Sequence, residues 1–214
     1  MQAAAIILAA GAGTRMKSKK PKVAHEVLGR PLVRWVVSAA KQAGAERIVA
    51  VVGHCKEQVI PLVQDETEIV VQPDRKGTAD AVAVCREALA DFDGSLLVLS
   101  GDCPLITAAT VERLVAEREA ANAAASLLTM KLPDPYGYGR IIRNDEGNVV
   151  GIVEQKDATD DQALIKECNA GFYCFDSKWV FEALTHIDNN NAQGEFYLTD
   201  VLEICRSAGR DVLA

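Results

Sequence analysis

Nowhere in its 214 residues does this chain carry an apolar run long enough to cross a bilayer. Its first residues also lack the basic-then-apolar pattern of a signal peptide. Positive charge is in short supply: 23 Lys and Arg stand against 30 Asp and Glu, a net charge of −7. That balance argues against nonspecific nucleic-acid binding, which needs a basic surface. The six cysteines (Cys55, Cys85, Cys103, Cys168, Cys174 and Cys205) contain no Cys-x-x-Cys pair and do not cluster with histidine at zinc spacing. They read as free, mostly buried thiols in a reducing compartment, and the expected location is the cytoplasm. There is no internal repeat and no low-complexity linker; Asn189-Asn190-Asn191 reads as a polar loop. Neither a nucleic-acid nor a membrane partner is expected.

What is present is an ordinary globular composition, 49% hydrophobic and 25% charged, in a chain long enough for a substantial core. Strand and helix patterns alternate. Apolar or β-branched runs at Ala3–Leu8, Arg47–Val52, Glu68–Val71 and Ser95–Ser100 are of strand length. Between them fall helical patterns at Leu32–Gln42, Lys56–Val63 (interrupted by Pro61), Thr78–Leu89 with Thr78 as N-cap, and Thr107–Ala121 with a Thr cap. Continuous apolar strands between amphipathic helices predict an α/β, Rossmann-like, mostly parallel sheet with helices on both faces. Right-handed crossovers would put the strand C-terminal ends on one ligand-binding edge. After about residue 125 strands dominate: Ser126–Lys131, Arg140–Arg143, Val149–Glu154 and Cys168–Phe175, followed by helices at Lys178–Leu184 and Leu198–Gly209. Asn144-Asp145-Glu146-Gly147 predicts a hairpin turn. The expectation is a single domain over 1–214, with a nucleotide-binding half to about 125. A smaller strand-rich lobe over 126–214 would form the opposite wall of a cleft.

The run Leu8-Ala9-Ala10-Gly11-Ala12-Gly13-Thr14-Arg15-Met16, followed by Pro21-Lys22, ends the first strand in a small-residue turn. Gly11 and Gly13 let backbone N–H groups approach an anion; Arg15 offers a fork of donors and Lys22 a compact charge. A dinucleotide fingerprint is excluded because Met16 stands where its third glycine belongs, and no Gly-Lys-Ser/Thr of a Walker loop follows. Lys17, Lys19 and Lys20 read as solvated charge. Ser100-Gly101-Asp102-Cys103-Pro104 follows a strand, which places the Asp102 carboxylate where it could hold a magnesium ion on phosphates or simply cap the turn. Gln72 can pair with a pyrimidine edge through one donor and one acceptor, while Gly77 permits close approach and Thr78 opens a helix. Tyr136-Gly137-Tyr138-Gly139-Arg140 is a tight loop, and Glu154 and Asn169 could accept hydrogen bonds from sugar hydroxyls. Surface charge is the reading for Lys156 and Asp157. His25, His54, His186 and Cys103 are expected to stand outside the chemistry.

The Gly-x-Gly-Thr-Arg…Pro-Lys signature resembles that of the sugar-phosphate nucleotidyltransferases. Gly-Tyr-Gly-Arg, Glu-x-Lys-Asp-Ala and Asn-Asn-Asn-Ala-Gln-Gly-Glu narrow the resemblance to the uridyltransferase domain of the bacterial bifunctional N-acetylglucosamine-1-phosphate uridyltransferases. That likeness implies transfer of UMP from UTP to N-acetylglucosamine-1-phosphate, giving UDP-N-acetylglucosamine and pyrophosphate. It implies catalytic roles for Arg15 and Lys22 and a Mg²⁺ site at Asp102. Substrate contacts would fall at Leu8, Ala9, Ala10, Gly11, Gly13, Thr14, Gln72, Gly77, Thr78, Ser100, Gly101, Gly139, Glu154 and Asn169. It also implies a second metal ligand, an asparagine past Ala214, and, in longer members, a trimeric acetyltransferase β-helix whose hexapeptide repeats are absent here. A monomer is the expectation for these residues. Two alternatives stay open: another sugar-phosphate nucleotidyltransferase, or a nucleotide-sugar-binding piece that does not turn over.

Overall fold

The structure, a computed structural model, describes residues 2–13 and 16–214. The elements in chain order are β1 (Ala3–Ala9), β2 (Glu26–Val27), β3 (Arg30–Pro31), α1 (Leu32–Gln42), β4 (Arg47–Val52), α2 (Lys56–Val63), β5 (Glu68–Val71), α3 (Thr78–Ala83) and β6 (Ser95–Ser100). There follow α4 (Ala108–Ala120), β7 (Ala125–Lys131), β8 (Arg140–Arg143), β9 (Val149–Val153), α5 (Asp160–Ala163), β10 (Glu167–Asp176), α6 (Ser177–Ala183), α7 (Asp200–Ser207) and β11 (Val212–Leu213).

One nine-stranded sheet runs β11-β7-β10-β6-β1-β4-β5, with the β8–β9 hairpin attached to β10. Strands β6, β1, β4 and β5 are mutually parallel, so their C-terminal ends share one edge. The strands of the second half are not a separate sheet. β10 inserts antiparallel between β6 and β7, pairing Phe172 with Leu99 and Tyr173 with Val98. Because β10 runs the other way, its beginning, not its end, lies at the shared edge, bringing Asn169–Gly171 beside the end of β6.

The two-residue period of a strand divides the core. Ile6, Val49, Val51, Leu96 and Val98 pack with α3, α6 and α7 on one face; Ile7, Ala50, Val52, Leu97 and Leu99 pack with α1, α2 and α4 on the other. Helix α1 shows why the periodicity works. Leu32, Val33, Val36, Val37 and Ala40 form one buried stripe, each large aliphatic group worth roughly 1.5–3 kcal/mol on burial. Gly44, at φ +83°, ends the helix while the Gly44 and Ala45 amides bond back to the Lys41 and Ala40 carbonyls. The expected hairpin forms between β8 and β9 across Asn144–Gly147.

Two expectations need correction. The helix predicted over Thr78–Leu89 is regular only to Ala83. Beyond it the Cys85 and Arg86 amides bond three residues back, to Val82 and Ala83, so the chain tightens out of the α-helical pattern. Pro61 lies inside α2 without dividing it; the helix ends two residues later. All six cysteines are free thiols, four buried and two half-buried. No helix among the described residues is long and apolar enough to cross a membrane.

Candidate active site

The loops after β1, β5 and β6 enclose a cavity of about 560 Å³ at the shared strand edge. On its phosphate-like side Gly13 has φ +60°, and a Cβ there would lie 2.6 Å from the Lys22 Cβ. Glycine is what lets the Lys22 stem cross the loop. Gly11 faces open space in the same wall. Lys22 begins a short 3₁₀ turn after Pro21, and its ammonium forms an ion pair with the Asp102 carboxylate. Asp102 is carried by the turn after β6, which the Gly101 amide ties to the Leu8 carbonyl at 3.0 Å. The neighbouring Cys103 thiol lies 3.3 Å from the other Asp102 oxygen. Burial first, then the Asp102 charge, pushes that thiol up to about 12, so it stays a neutral donor and no nucleophile. Thr14 and Arg15 lie outside the described residues. Leu8 and Ala10 line the cavity, but Ala9, between them, faces the opposite core with α1 and α2; the strand period excludes its side chain from the site.

The other side of the cavity holds Gln72, Gly77 and Thr78. Gln72 is buried and its amide nitrogen donates to the Gly77 carbonyl (3.1 Å) and to Asp80 (2.7 Å). Both partners are pure acceptors, which fixes the nitrogen on that side. The expected two-sided pairing with a base is therefore reduced to one: the protein uses the donors and leaves the Gln72 Oε1 acceptor for a ligand. Thr78 is not the N-cap. Gly77 takes that place, and the Thr78 hydroxyl accepts the Leu198 amide at 3.0 Å. Arg75 and Glu195, neither of them among the expected substrate contacts, also line this cavity; Glu195 closes the Asn-Asn-Asn-Ala-Gln-Gly-Glu motif. Arg75 sits inside the Gln72–Gly77 turn, and that placement was the available signal for it.

A third group adjoins the first two. Ser100 Oγ donates to the Gly171 carbonyl at 3.1 Å, joining the cavity to the start of β10. There Asn169 donates from its backbone to the Gly139 carbonyl (2.9 Å) and from its side chain to Tyr173 (2.6 Å). A Cβ on Gly139 would lie 3.2 Å from Glu154 Oε1, so Gly139, Glu154 and Asn169 come together as expected. Asp157, read as surface charge, instead accepts the Ala192 amide (2.8 Å) and Tyr197 hydroxyl (3.3 Å), tying the 189–198 loop to this group.

Burial raises the Glu154 carboxyl above the usual carboxylate range; the Asp157 and Asp200 charges add to this, and the Thr199 hydroxyl and Arg140 oppose it. A folded value above the unfolded one means that ionisation opposes folding. The cost is absent below the ordinary carboxylate range and fully present above the raised value. Glu154→Gln is therefore expected to melt higher than the parent at about pH 8, with the gap closing toward about pH 4. Thermal denaturation at the two pH values checks this; a gap of equal size at both would contradict it.

Residues 5–145 match the family described as the MobA-like NTP transferase domain. The chain is similar to the bifunctional protein GlmU of Geobacillus sp. (strain WCH70), with 51% identity over 210 residues, covering 98% of this chain and 46% of that protein. It is 49% identical to the bifunctional protein GlmU of Pelotomaculum thermopropionicum over 214 residues, covering 100% of this chain and 47% of the relative. It thus spans about half the length of the curated relatives it matches. Among solved structures, a UDP-glucose pyrophosphorylase complexed with UDP-glucose superimposes with a TM-score of 0.77 at 19% identity, covering 100% of this chain and 90% of that one. That likeness shows a shared fold.

Proposed function

The chain belongs to the MobA-like NTP transferase domain family, and from that premise we propose that it transfers UMP from UTP to N-acetylglucosamine-1-phosphate, releasing pyrophosphate. The observation that carries this reading is the convergence of three groups at one strand edge: Lys22 with Asp102, Gln72 with Gly77, and Gly139 with Glu154 and Asn169. Residues up to about 125 would supply the nucleotide side and those beyond it the sugar side.

The phosphate oxygen of the sugar attacks the α-phosphorus, and the bond from that phosphorus to the bridging oxygen breaks as pyrophosphate leaves. No protein nucleophile is needed; in-line positioning and charge stabilisation suffice. The Lys22 ammonium neutralises charge growing on the α-phosphate. Gln72 Oε1 accepts from the imide N–H of uracil, which cytosine lacks at that ring position, and this supports UTP over CTP. Glu154 and the Asn169 side chain address sugar hydroxyls. The family likeness and a hard carboxylate oxygen on a cavity that would hold phosphates both fit Mg²⁺ at Asp102. Mg²⁺ is commonly held by one or two carboxylates together with substrate phosphates. Among the described residues no cluster of three or more such ligands converges, so phosphate and water would complete its shell. When bound, the ion supplies screening of the phosphate charge.

The test is pyrophosphate release with UTP, N-acetylglucosamine-1-phosphate and Mg²⁺, run beside a no-sugar control and a CTP arm. Release that depends on the sugar and prefers UTP is the expected result. Release with other sugar phosphates but not this one, or preference for CTP, would move the assignment to another nucleotidyltransferase.

A further inference from the structure

Arg140 is 1% exposed, yet among the described residues its side-chain hydrogen bonds go to neutral oxygens and not to a carboxylate. Its guanidinium turns back on its own loop. Nη1 donates to the Tyr138 carbonyl, and Nη2 donates to Gln155 Oε1 at 2.8 Å and to the Ala163 carbonyl at 3.4 Å. Gln155 Oε1 also accepts the Gly137 amide at 2.8 Å. One buried cation and one side-chain amide oxygen thus hold two consecutive residues of the loop, Tyr138 by its carbonyl and Gly137 by its amide. A buried charge resting mainly on neutral oxygens is costly, and stability alone gives little reason to keep it. What it does hold in place is Gly139, wedged with its Cα hydrogens toward Ile152 Cγ2 (2.9 Å from an ideal Cβ) and the Glu154 carboxylate, and bonded through its carbonyl to Asn169.

We infer that Arg140 and Gln155 are positioning residues that set affinity for the acceptor sugar phosphate, and not for the nucleoside triphosphate, by fixing Gly139 against Glu154 and Asn169. The inference rests on the uridyltransferase reading above for the identity of the sugar. Neither residue touches the nucleotide cavity, and neither lies on the loops that carry Lys22, Gln72 or Asp102. The planar fork of arginine reaches three acceptors at once, which the single ammonium of lysine cannot do.

The experiment compares the parent with Gln155→Ala, Gln155→Glu and Arg140→Lys. Gln155 is half-buried, so its truncation leaves the core intact. Gln155→Ala is expected to raise KM for N-acetylglucosamine-1-phosphate about tenfold, the scale of one lost hydrogen bond. Its KM for UTP and its kcat should stay within about twofold. Gln155→Glu keeps the acceptor and should restore the parent KM, whereas Arg140→Lys should behave like Gln155→Ala. A rise in both KM values alike, or a tenfold rise in Gln155→Glu as well, would overturn the inference. Hydrogen exchange at the Gly137 amide decides the point without turnover. Protection in the parent that increases with UDP-N-acetylglucosamine and is lost in Gln155→Ala supports the positioning role, and equal exchange in the two proteins overturns it. A parent that gives no sugar-dependent pyrophosphate release, while its Gly137 amide behaves as expected, would refute the uridyltransferase reading and leave this one standing.

Discussion

Lys22→Ala is expected to lower turnover by about 10²–10³-fold, the scale of removing one donor that serves the transition state. The expectation follows from where the side chain sits. Its stem crosses Gly13, and its ammonium reaches the Asp102 carboxylate at the mouth of the strand edge, so one cation would face the phosphates of the proposed substrate from a fixed base. The loss would not be an unfolding effect. The ion pair is partly solvated, with 39% of the Lys22 and 23% of the Asp102 side chain exposed, and pairs of that kind contribute about 0–1 kcal/mol. Removing Lys22 also frees the Asp102 carboxylate of a competing cation, so the variant should bind Mg²⁺ more tightly than the parent while turning over more slowly. Steady-state pyrophosphate release and Mg²⁺ titration, run on the same preparations, check both halves. Turnover within a few-fold of the parent would remove Lys22 from the mechanism.

Gly77→Ala should be the most damaging single methyl in the chain before about residue 125. Gly77 has φ +124°, where an L-residue is strained by about 1–3 kcal/mol. Its Cβ would also stand 2.7 Å from the Phe196 nitrogen and 2.9 Å from the Phe196 carbonyl carbon. That backbone cannot retreat cheaply: Phe196 N–H donates to Lys76 at 2.7 Å, and its carbonyl accepts the Ala79 amide at 3.0 Å. Moving it releases the 189–198 loop from the start of α3 and withdraws the Gly77 carbonyl from Gln72. A stability loss of about 2–4 kcal/mol is expected, combining strain and overpacking. UTP KM should rise on the order of 100-fold, the scale of two or three hydrogen bonds. Gly209→Ala is the control: Gly209 also has positive φ, +72°, but nothing lies within 4 Å of its Cβ position. Chemical denaturation and UTP KM for the two variants separate strain from collision. If Gly77→Ala proved no worse than Gly209→Ala, the interlock between Gly77 and Phe196 would carry no weight.

Much of this molecule was legible in its residues because the signals are local. The limits of α1, β4, α2, β5 and β6 coincide with the patterns read from the chain, since apolar period and flanking turn residues act within one element. The hairpin at Asn144–Gly147 is local as well: it needs only a few neighbouring residues to specify its conformation. The residues that line the cavity were legible for the same reason: Lys22, Gln72, Gly77 and Asp102 all follow apolar strand runs, and parallel strands send such residues to one edge.

Other features required the fold. The sequence marks β7 and β10 as strands but does not say that they extend the first sheet, and it gives no sign of β11. That depends on β10 reversing direction against β6, a pairing across some seventy residues of chain. The same reversal puts Asn169 beside Ser100. Whether Ala9 belongs to the site depends on which face of β1 it takes. The binding capacity of Gln72 depends on Gly77 and Asp80 using its donors. In sequence Arg140 only ends a tight loop; its burial, with Tyr138, Gln155 and Ala163 as acceptors, gives it a task. Local propensity determined the elements and the order of the functional loops along the chain. Tertiary packing decided which side chains face the cavity and which of their hydrogen-bonding groups remain for a ligand, because a buried donor must be satisfied by whatever acceptor the fold brings to it.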